Sequence, residues 1–414
     1  MNRNSLPQND YASLGRDALA GQSPAVADIA ERLSAAFARH AAQNSNAPAT
    51  AGSEPAGRAA GPRIAGARLT ETEAAVLYHE ADLFTLGALA HQARLALHPE
   101  NMVTYVADRN INYSNVCVCA CRFCAFYRPP GHAEAYVLSR EDLDRKIRET
   151  IALGGTQILM QGGHHPDLPL TFYEDMIAWI RGTHPGIHIH SFSPPEIVFF
   201  AEKEGLGVDE VIARLVRAGL HSIPGGGAEI LVDRVRSQVS PNKCSAAKWL
   251  GVMEKAHAQG LKTTATMMFG HEESDAERLE HLFAVRALQD RTGGFTAFIP
   301  WTFQPANTAM DHCRPETAQS YLRLLALSRL ALDNVPSIQA SWVTMGPQVA
   351  QLALFFGAND FGSLMIEENV VAAAGVSFRL SRAEIHAIIG RAGFVPKQRY
   401  MDYRLVEPEQ GVPA

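Results

Sequence analysis

The chain has 414 residues, 47% of them hydrophobic and 19% charged, which is enough apolar material for one large core or two ordinary ones. A net charge of −6 argues against a nucleic-acid partner, and no apolar run reaches the roughly 18 residues that a membrane span requires. The opening "MNRNSLPQNDYASLG" has no apolar secretory core, so a cytoplasmic setting is expected, with the six cysteines as metal ligands or buried thiols rather than disulfides.

Residues 1–61 are rich in Ala, Ser, Asn, Pro and Gly and read as a disordered tail; only "PAVADIAERLSAAFARHAAQ" within them has helical character. Residues 62–101 should form two helices packed on the main domain. Thr70 and Glu73 make a capping box for the first, and Leu83, Leu86, Ala90, Ala93 and Leu97 line one stripe of the second.

From residue 102 to 414, short apolar strands alternate with capped helices, and a helical extension is expected at the C-terminus. The strands are "VTYVA", "TQILM", "HIHSF", "HSIPG", "KTTATMMF", "FTAFIPW", "SIQASWV" and a short one near "NDFG". Helix starts are marked by Ser139 with Asp142, Thr171 with Glu174, Ser193 with Glu196 and Ser274 with Glu277. Eight strand signals in βα alternation predict an α/β fold, a (β/α)8 TIM-type barrel, with a six-stranded open barrel as the alternative. In such a barrel the chemistry sits where strands end and helices begin.

The first of those turns holds "CVCACRFC", four thiols in eight residues. Three readings are open: a set of buried thiols, a zinc site, or an iron–sulfur cluster. Structural zinc usually takes two separated ligand pairs, and Cys244 and Cys313 are single and far apart. Cys117, Cys121 and Cys124 have the spacing C-x3-C-x2-C, with the aromatic Phe123 just before the third. This resembles the radical S-adenosylmethionine superfamily, which implies a 4Fe–4S cluster held by these three thiolates with one iron left open to S-adenosylmethionine. Cys119 would then be a free thiol between ligands. If it ligated as well, the cluster would be closed and could only carry electrons.

The resemblance extends through "DRNINYSNVC", "FCAFYRPPGHAEAYVLS", "GGTQILMQGGHHPDLPL", "SIPGGGAEILVDRVR", "TTATMMFGHEE", "GGFTAFIPWTFQP" and "SWVTMGP", from about Arg68 to Tyr403. Together these look like the dehypoxanthine futalosine cyclase family of menaquinone biosynthesis, with aminofutalosine synthase and the deazaflavin (FO) synthases as relatives. Two departures stand out: the additional Cys119, and Met345 where Gln is expected. The family's chemistry implies a 5′-deoxyadenosyl radical that abstracts the ribose C4′ hydrogen. The carbon radical then closes onto the substrate's benzoate ring, and loss of an electron and a proton restores aromaticity. The implied partners are dehypoxanthine futalosine and an electron donor of flavodoxin or ferredoxin type; the oligomeric state is left open, with a homodimer as one option.

Other site candidates follow from position. Gln161-Gly162-Gly163 matches the superfamily turn whose backbone binds the methionine amino group. His164, His165 and Asp167 could line the substrate pocket, and a His could accept the proton of rearomatisation. Ser193 is a helix cap that could touch the cofactor. The glycines of Gly225-Gly226-Gly227 permit close backbone approach to a ligand, and Glu229 beyond them is a candidate for the cofactor's ribose. Met267, Met268 and Phe269 could pack its adenine. Arg234 and Arg236 are candidates for the benzoate carboxylate, while Trp301 and Trp342 could exclude water.

Overall fold

The computed structural model describes residues 19, 21–45, 63–376 and 378–407. Its frame is a ring of parallel strands. β1 (Met102–Val106) and β2 (Asp108–Ile111) are halves of one strand interrupted at Ala107. The sheet then adds β3 (Gln157–Met160), β4 (His188–Ser191), β5 (Ser222–Ile223), β6 (Lys262–Phe269), β7 (Phe295–Thr302) and β8 (Ser337–Ile338) in sequence order, every pairing parallel. β9 (Asp360–Ser363) closes the ring. On the β8 side Ala340 N–H donates to the Asp360 carbonyl at 2.9 Å, and on the other Ile366 N–H donates to the Asp108 carbonyl at 3.0 Å. All eight expected strands are therefore present, and the open six-stranded alternative falls.

A ninth strand was not anticipated. β10 (Val395–Gln398) lies parallel to β1, with Met102 opposite Val395. Arg399, just beyond it, sends its buried guanidinium to Asp360, which joins the C-terminal segment to the closing strand.

Side-chain caps start most of the helices between strands. Ser139 accepts from Asp142 N–H, and Ser193 and Ser274 make complete capping boxes with Glu196 and Glu277. Thr171 does not cap: its helix, Leu170–Thr183, begins one residue earlier behind Pro169. A proline there fixes the extended entry without supplying a side-chain acceptor.

The expected pair of N-terminal helices, Glu71–Glu80 and Leu83–Leu97, is joined by a third. Residues Pro24–Ser45 form a helix packed on Leu83–Leu97, with Val26, Ala30, Leu33 and Phe37 buried along one stripe. Arg32 fastens it to Glu73 at 2.6 Å and to the Gly66 carbonyl at 2.8 Å. The expectation of a disordered tail is thus corrected over 24–45, because one apolar stripe in an otherwise polar segment finds a surface to cover. The remainder of 1–61, apart from residue 19 and residues 21–23, lies outside the described residues.

Candidate active site

The cysteine loop leaves β2 at the C-terminal face of the ring and is tied down at several points. Cys117 N–H donates to the Arg128 carbonyl at 3.0 Å, Val118 N–H to His164 at 3.0 Å and Arg122 N–H to Val239 at 2.9 Å. Ala120 takes a left-handed φ of 48°, a tight reversal between the second and third thiols. Two backbone N–H groups, of Cys119 at 3.4 Å and His164 at 3.3 Å, point at Cys117 Sγ.

The four thiols divide by their surroundings. The neighbouring Cys119 thiol, assisted by those two N–H groups, draws Cys117 down to about 6 and also lowers Cys121. Cys119 itself is held protonated by its interactions with Cys117 and Cys121, and burial raises Cys124. Cys119 is 1% exposed, with Sγ 2.9 Å from His164 Nδ1 and 3.4 Å from the Asn242 carbonyl. The odd thiol of the spacing is therefore the most buried of the four and the one paired with an imidazole.

Gln161-Gly162-Gly163 follows β3 and meets this loop. A Cβ on Gly163, whose φ is +77°, would stand 3.1 Å from Cys117 Sγ, and one on Gly162 would overlap the Tyr113 ring at 2.2 Å. Glu196 holds the turn. Its Oε1 accepts Tyr113 O–H at 2.7 Å and Gly162 N–H at 3.1 Å, while Oε2 accepts Ser193 N–H and O–H, each at 2.7 Å. Ser193 is thereby committed to the cap. The glycines of 225–227 serve the protein's own packing: added Cβ atoms would strike the Thr264 carbonyl at 2.6 Å, Gln161 Nε2 at 2.3 Å and Pro195 Cγ at 2.5 Å. That replaces the expectation that they make room for a ligand.

Glu229, with a left-handed φ of 42°, is buried between two cations, Lys243 at 2.8 Å and Arg236 at 3.4 Å. Those cations hold its carboxyl ionised against the penalty of burial. Its carbonyl accepts Met268 N–H at 3.1 Å, which places the 1%-exposed Met268 beside it, with Trp301 opposite Met268 on β7. Lys243 Nζ stands 4.9 Å over the Phe123 ring. Nothing in a single sequence marks Lys243, which lies in the plain turn "SPNK" before a helix.

Four candidates are placed differently from expectation. Arg234 is on the exposed side of its helix, bound to Glu277 at 2.5 and 2.6 Å. Arg236 is buried, with its N–H groups on the carbonyls of Ala228 and Cys244, so neither arginine is free for a substrate carboxylate. His164 stacks on Phe199 at 4.7 Å and is held neutral by burial, down to about 3. His165 Nδ1 accepts Asp167 N–H at 3.2 Å, which leaves Nε2 as a donor, so neither histidine is placed to accept a proton. Of the tryptophans, Trp342 is core, with its N–H on the Ser363 carbonyl, and Trp301 is half-buried at the end of β7. Met345 Sδ accepts from Thr302 O–H at 3.2 Å.

The donor set fits a thiolate-bound cluster with three protein ligands. Cys117 receives N–H groups as a cluster sulfur does, Gly163 leaves room against it, and Cys119 is buried against His164.

The comparisons with known proteins agree. Residues 111–285 match the radical SAM superfamily and residues 292–411 the CofH/MqnC C-terminal region. The chain belongs to the radical SAM superfamily of enzymes, whose members bind a 4Fe–4S cluster and S-adenosylmethionine. Within it, the chain belongs to the family of the cyclic dehypoxanthine futalosine synthase of Halalkalibacterium halodurans. It is 48% identical to that enzyme over 343 residues, 83% of this chain and 93% of the relative. A more distant relative is the 5-amino-6-(D-ribitylamino)uracil–L-tyrosine 4-hydroxyphenyl transferase of Methanoculleus marisnigri. It is 38% identical over 83% of this chain and 95% of its own length. The fold matches the crystal structure of HydG, a maturase of the [FeFe]-hydrogenase, with a TM-score of 0.65 at 17% identity over 94% of this chain and 80% of that one.

Proposed function

We propose that this chain is a radical S-adenosylmethionine cyclase that converts dehypoxanthine futalosine to its cyclic product on the futalosine route to menaquinone. The observation that carries this reading is the 48% identity to a cyclic dehypoxanthine futalosine synthase across nearly the whole relative. The cysteine loop at the C-terminal face of the ring supports it.

When bound, the cluster and S-adenosylmethionine supply the reducing electron and the 5′-deoxyadenosyl radical. The chain supplies placement and dryness. Cys117, Cys121 and Cys124 are the cluster ligands, and Phe123, between the last two in sequence, carries Lys243 over its ring. The turn of Gln161, Gly162 and Gly163, fixed by Glu196, serves the methionine amino group through the carbonyls of Gly162 and Gly163, since the Gln161 backbone is bonded to Ile111 and Asn112. Glu229 and Met268, joined by a backbone hydrogen bond, flank the nucleoside end, and Trp301 beside Met268 helps to wall off water. Ser193 acts through Glu196 rather than on the cofactor.

The electron comes from a flavodoxin or ferredoxin type donor, as a low-potential cluster requires. A cytoplasmic location is consistent with the described residues, among which no helix is long and apolar enough to cross a membrane. A homodimer is the assembly to test.

The 38% identity to a transferase favours a second reading, an enzyme that joins two substrates, as aminofutalosine synthase and FO synthase do. Anaerobic incubation of the reduced holoprotein with S-adenosylmethionine and dehypoxanthine futalosine separates the readings. The cyclase releases 5′-deoxyadenosine and the cyclic product. Recovery of dehypoxanthine futalosine unchanged, with consumption of a two-substrate pair, would favour the transferase. No 5′-deoxyadenosine under any condition would leave only an electron carrier.

A further inference from the structure

Behind the cysteine loop lies a group of three charges, Glu229 and Arg236 buried and Lys243 with 14% of its side chain exposed, that the reaction outlined above does not use as a unit. Glu229 is 5% exposed and sits between Lys243 at 2.8 Å and Arg236 at 3.4 Å, so the group carries one net positive charge. Arg236 is spent on carbonyls of the surrounding turns. Lys243 is turned the other way, with Nζ 4.9 Å over the ring of Phe123, the residue between Cys121 and Cys124 in the loop.

Its position is built rather than incidental. The turn that carries it is bound to the cysteine loop by Arg122 N–H on the Val239 carbonyl at 2.9 Å and by Asn242 Nδ2 on the Cys119 carbonyl at 3.2 Å. Lys243 N–H closes the turn on the Ser240 carbonyl at 3.0 Å. A lysine with only 14% of its side chain exposed is costly unless something negative offsets its partial desolvation. One carboxylate shared with a second cation is a poor match, whereas a thiolate-bound cluster that gains a further negative charge on reduction is a good one.

We propose that Lys243 is the fixed counter-charge of the iron–sulfur centre: held between Glu229 and the Phe123 ring, it favours the reduced cluster and so sets its reduction potential. This rests on the reading that Cys117, Cys121 and Cys124 hold a 4Fe–4S cluster. Lys243 is a positioning residue here, acting on the electron rather than on substrate. Net charge near the sulfurs is one of the main controls on such potentials. Glu229 opposes Lys243, so the two residues should have effects of opposite sign.

The test is a redox titration of the reconstituted full-length holoprotein, followed by electron paramagnetic resonance without S-adenosylmethionine, with iron and sulfide measured per chain. Lys243→Met should shift the midpoint to more negative potential, Lys243→Arg should stay near wild type, and Glu229→Gln should shift it to less negative potential. If Lys243→Met fails to hold its cluster, Glu229→Gln still decides by the sign of its shift. Wild-type midpoints in both Lys243→Met and Glu229→Gln overturn the proposal. So does a Lys243→Met protein with an unchanged midpoint and lost S-adenosylmethionine affinity, because the lysine would then serve the cofactor alone. A wild-type protein that takes up zinc, or a cluster with four protein thiolates, instead refutes the underlying cluster assignment.

Discussion

Tyr113 and Glu196, 83 residues apart, meet in a buried hydrogen bond of 2.7 Å, and the same carboxylate oxygen accepts Gly162 N–H at 3.1 Å. A residue that looks in sequence like an ordinary capping glutamate thus braces the glycine turn proposed to hold the cofactor. Glu196→Ala strands four buried donors, those of Tyr113, Gly162 and Ser193, and should cost about 3 kcal/mol of stability. Tyr113→Phe removes one bond and should cost about 1 kcal/mol. In Glu196→Ala the affinity for S-adenosylmethionine should fall by roughly tenfold, equivalent to about 1.4 kcal/mol of lost preorganisation. Urea denaturation and equilibrium binding read the two effects separately. An unchanged affinity in a destabilised Glu196→Ala protein would show that the brace serves only the fold.

Cys119 is the most buried of the loop thiols and lies 2.9 Å from His164 Nδ1. Cys119→Ala should retain iron, sulfide and 5′-deoxyadenosine formation, with a stability loss of about 1 kcal/mol from the unpartnered imidazole. Cys121→Ala should lose both the cluster and the product. If Cys119→Ala loses iron to the same extent, four thiolates hold the metal and the centre has no open iron for a cofactor.

Arg234 and Arg236 stand two positions apart on one short helix and have opposite fates. Arg234→Ala removes the ion pair with Glu277 from the exposed side of the helix and should leave activity close to wild type at a stability cost of about 1 kcal/mol. Arg236→Ala leaves buried carbonyls and the Glu229 carboxylate short of a partner and should cost about 3–5 kcal/mol. Parallel urea curves for the two variants decide whether either arginine has been misplaced.

That contrast shows what one sequence makes legible. The eight strands and most of the caps could be read because burial and capping are local in origin: alternating apolar runs, and Ser or Thr three residues before Asp or Glu. The three cysteines proposed as ligands were singled out by the family resemblance that their spacing carries, since four thiols in eight residues alone also fit buried thiols or zinc. Arg234 and Arg236 were indistinguishable because a helix has two sides, and the side facing in depends on what packs against it. Lys243 could not be found, since its meaning comes from Phe123 and Glu229, distant in sequence. The glycines of 225–227 were assigned to a ligand when their neighbours are Thr264, Gln161 and Pro195, contacts made only on closing the ring. The helical character of Pro24–Ser45 was legible, but its docking on Leu83–Leu97 was not, because that depends on a surface supplied by another segment.

Buried histidines give the last prediction, on acid stability. Burial pushes His281 down to about 3 and His91 to about 4, and His190 falls well below its ordinary value for the same reason. Each is neutral in the fold and takes a proton near pH 6.5 once unfolded. Between about pH 6.5 and 4 the unfolded chain therefore binds more protons, and stability must fall as pH falls. Each such group contributes up to about 1.4 kcal/mol per pH unit below 6. Carboxylates held low by ion pairs, such as Glu277 at about 2, act in the same direction but only from about pH 4.5 downwards. The urea midpoint followed by far-ultraviolet circular dichroism should thus drop already between pH 6.5 and 5.5. His281→Gln, which keeps an acceptor for the Leu231 N–H, should flatten that slope. A midpoint constant down to pH 5 would mean that these imidazoles titrate freely in the folded protein.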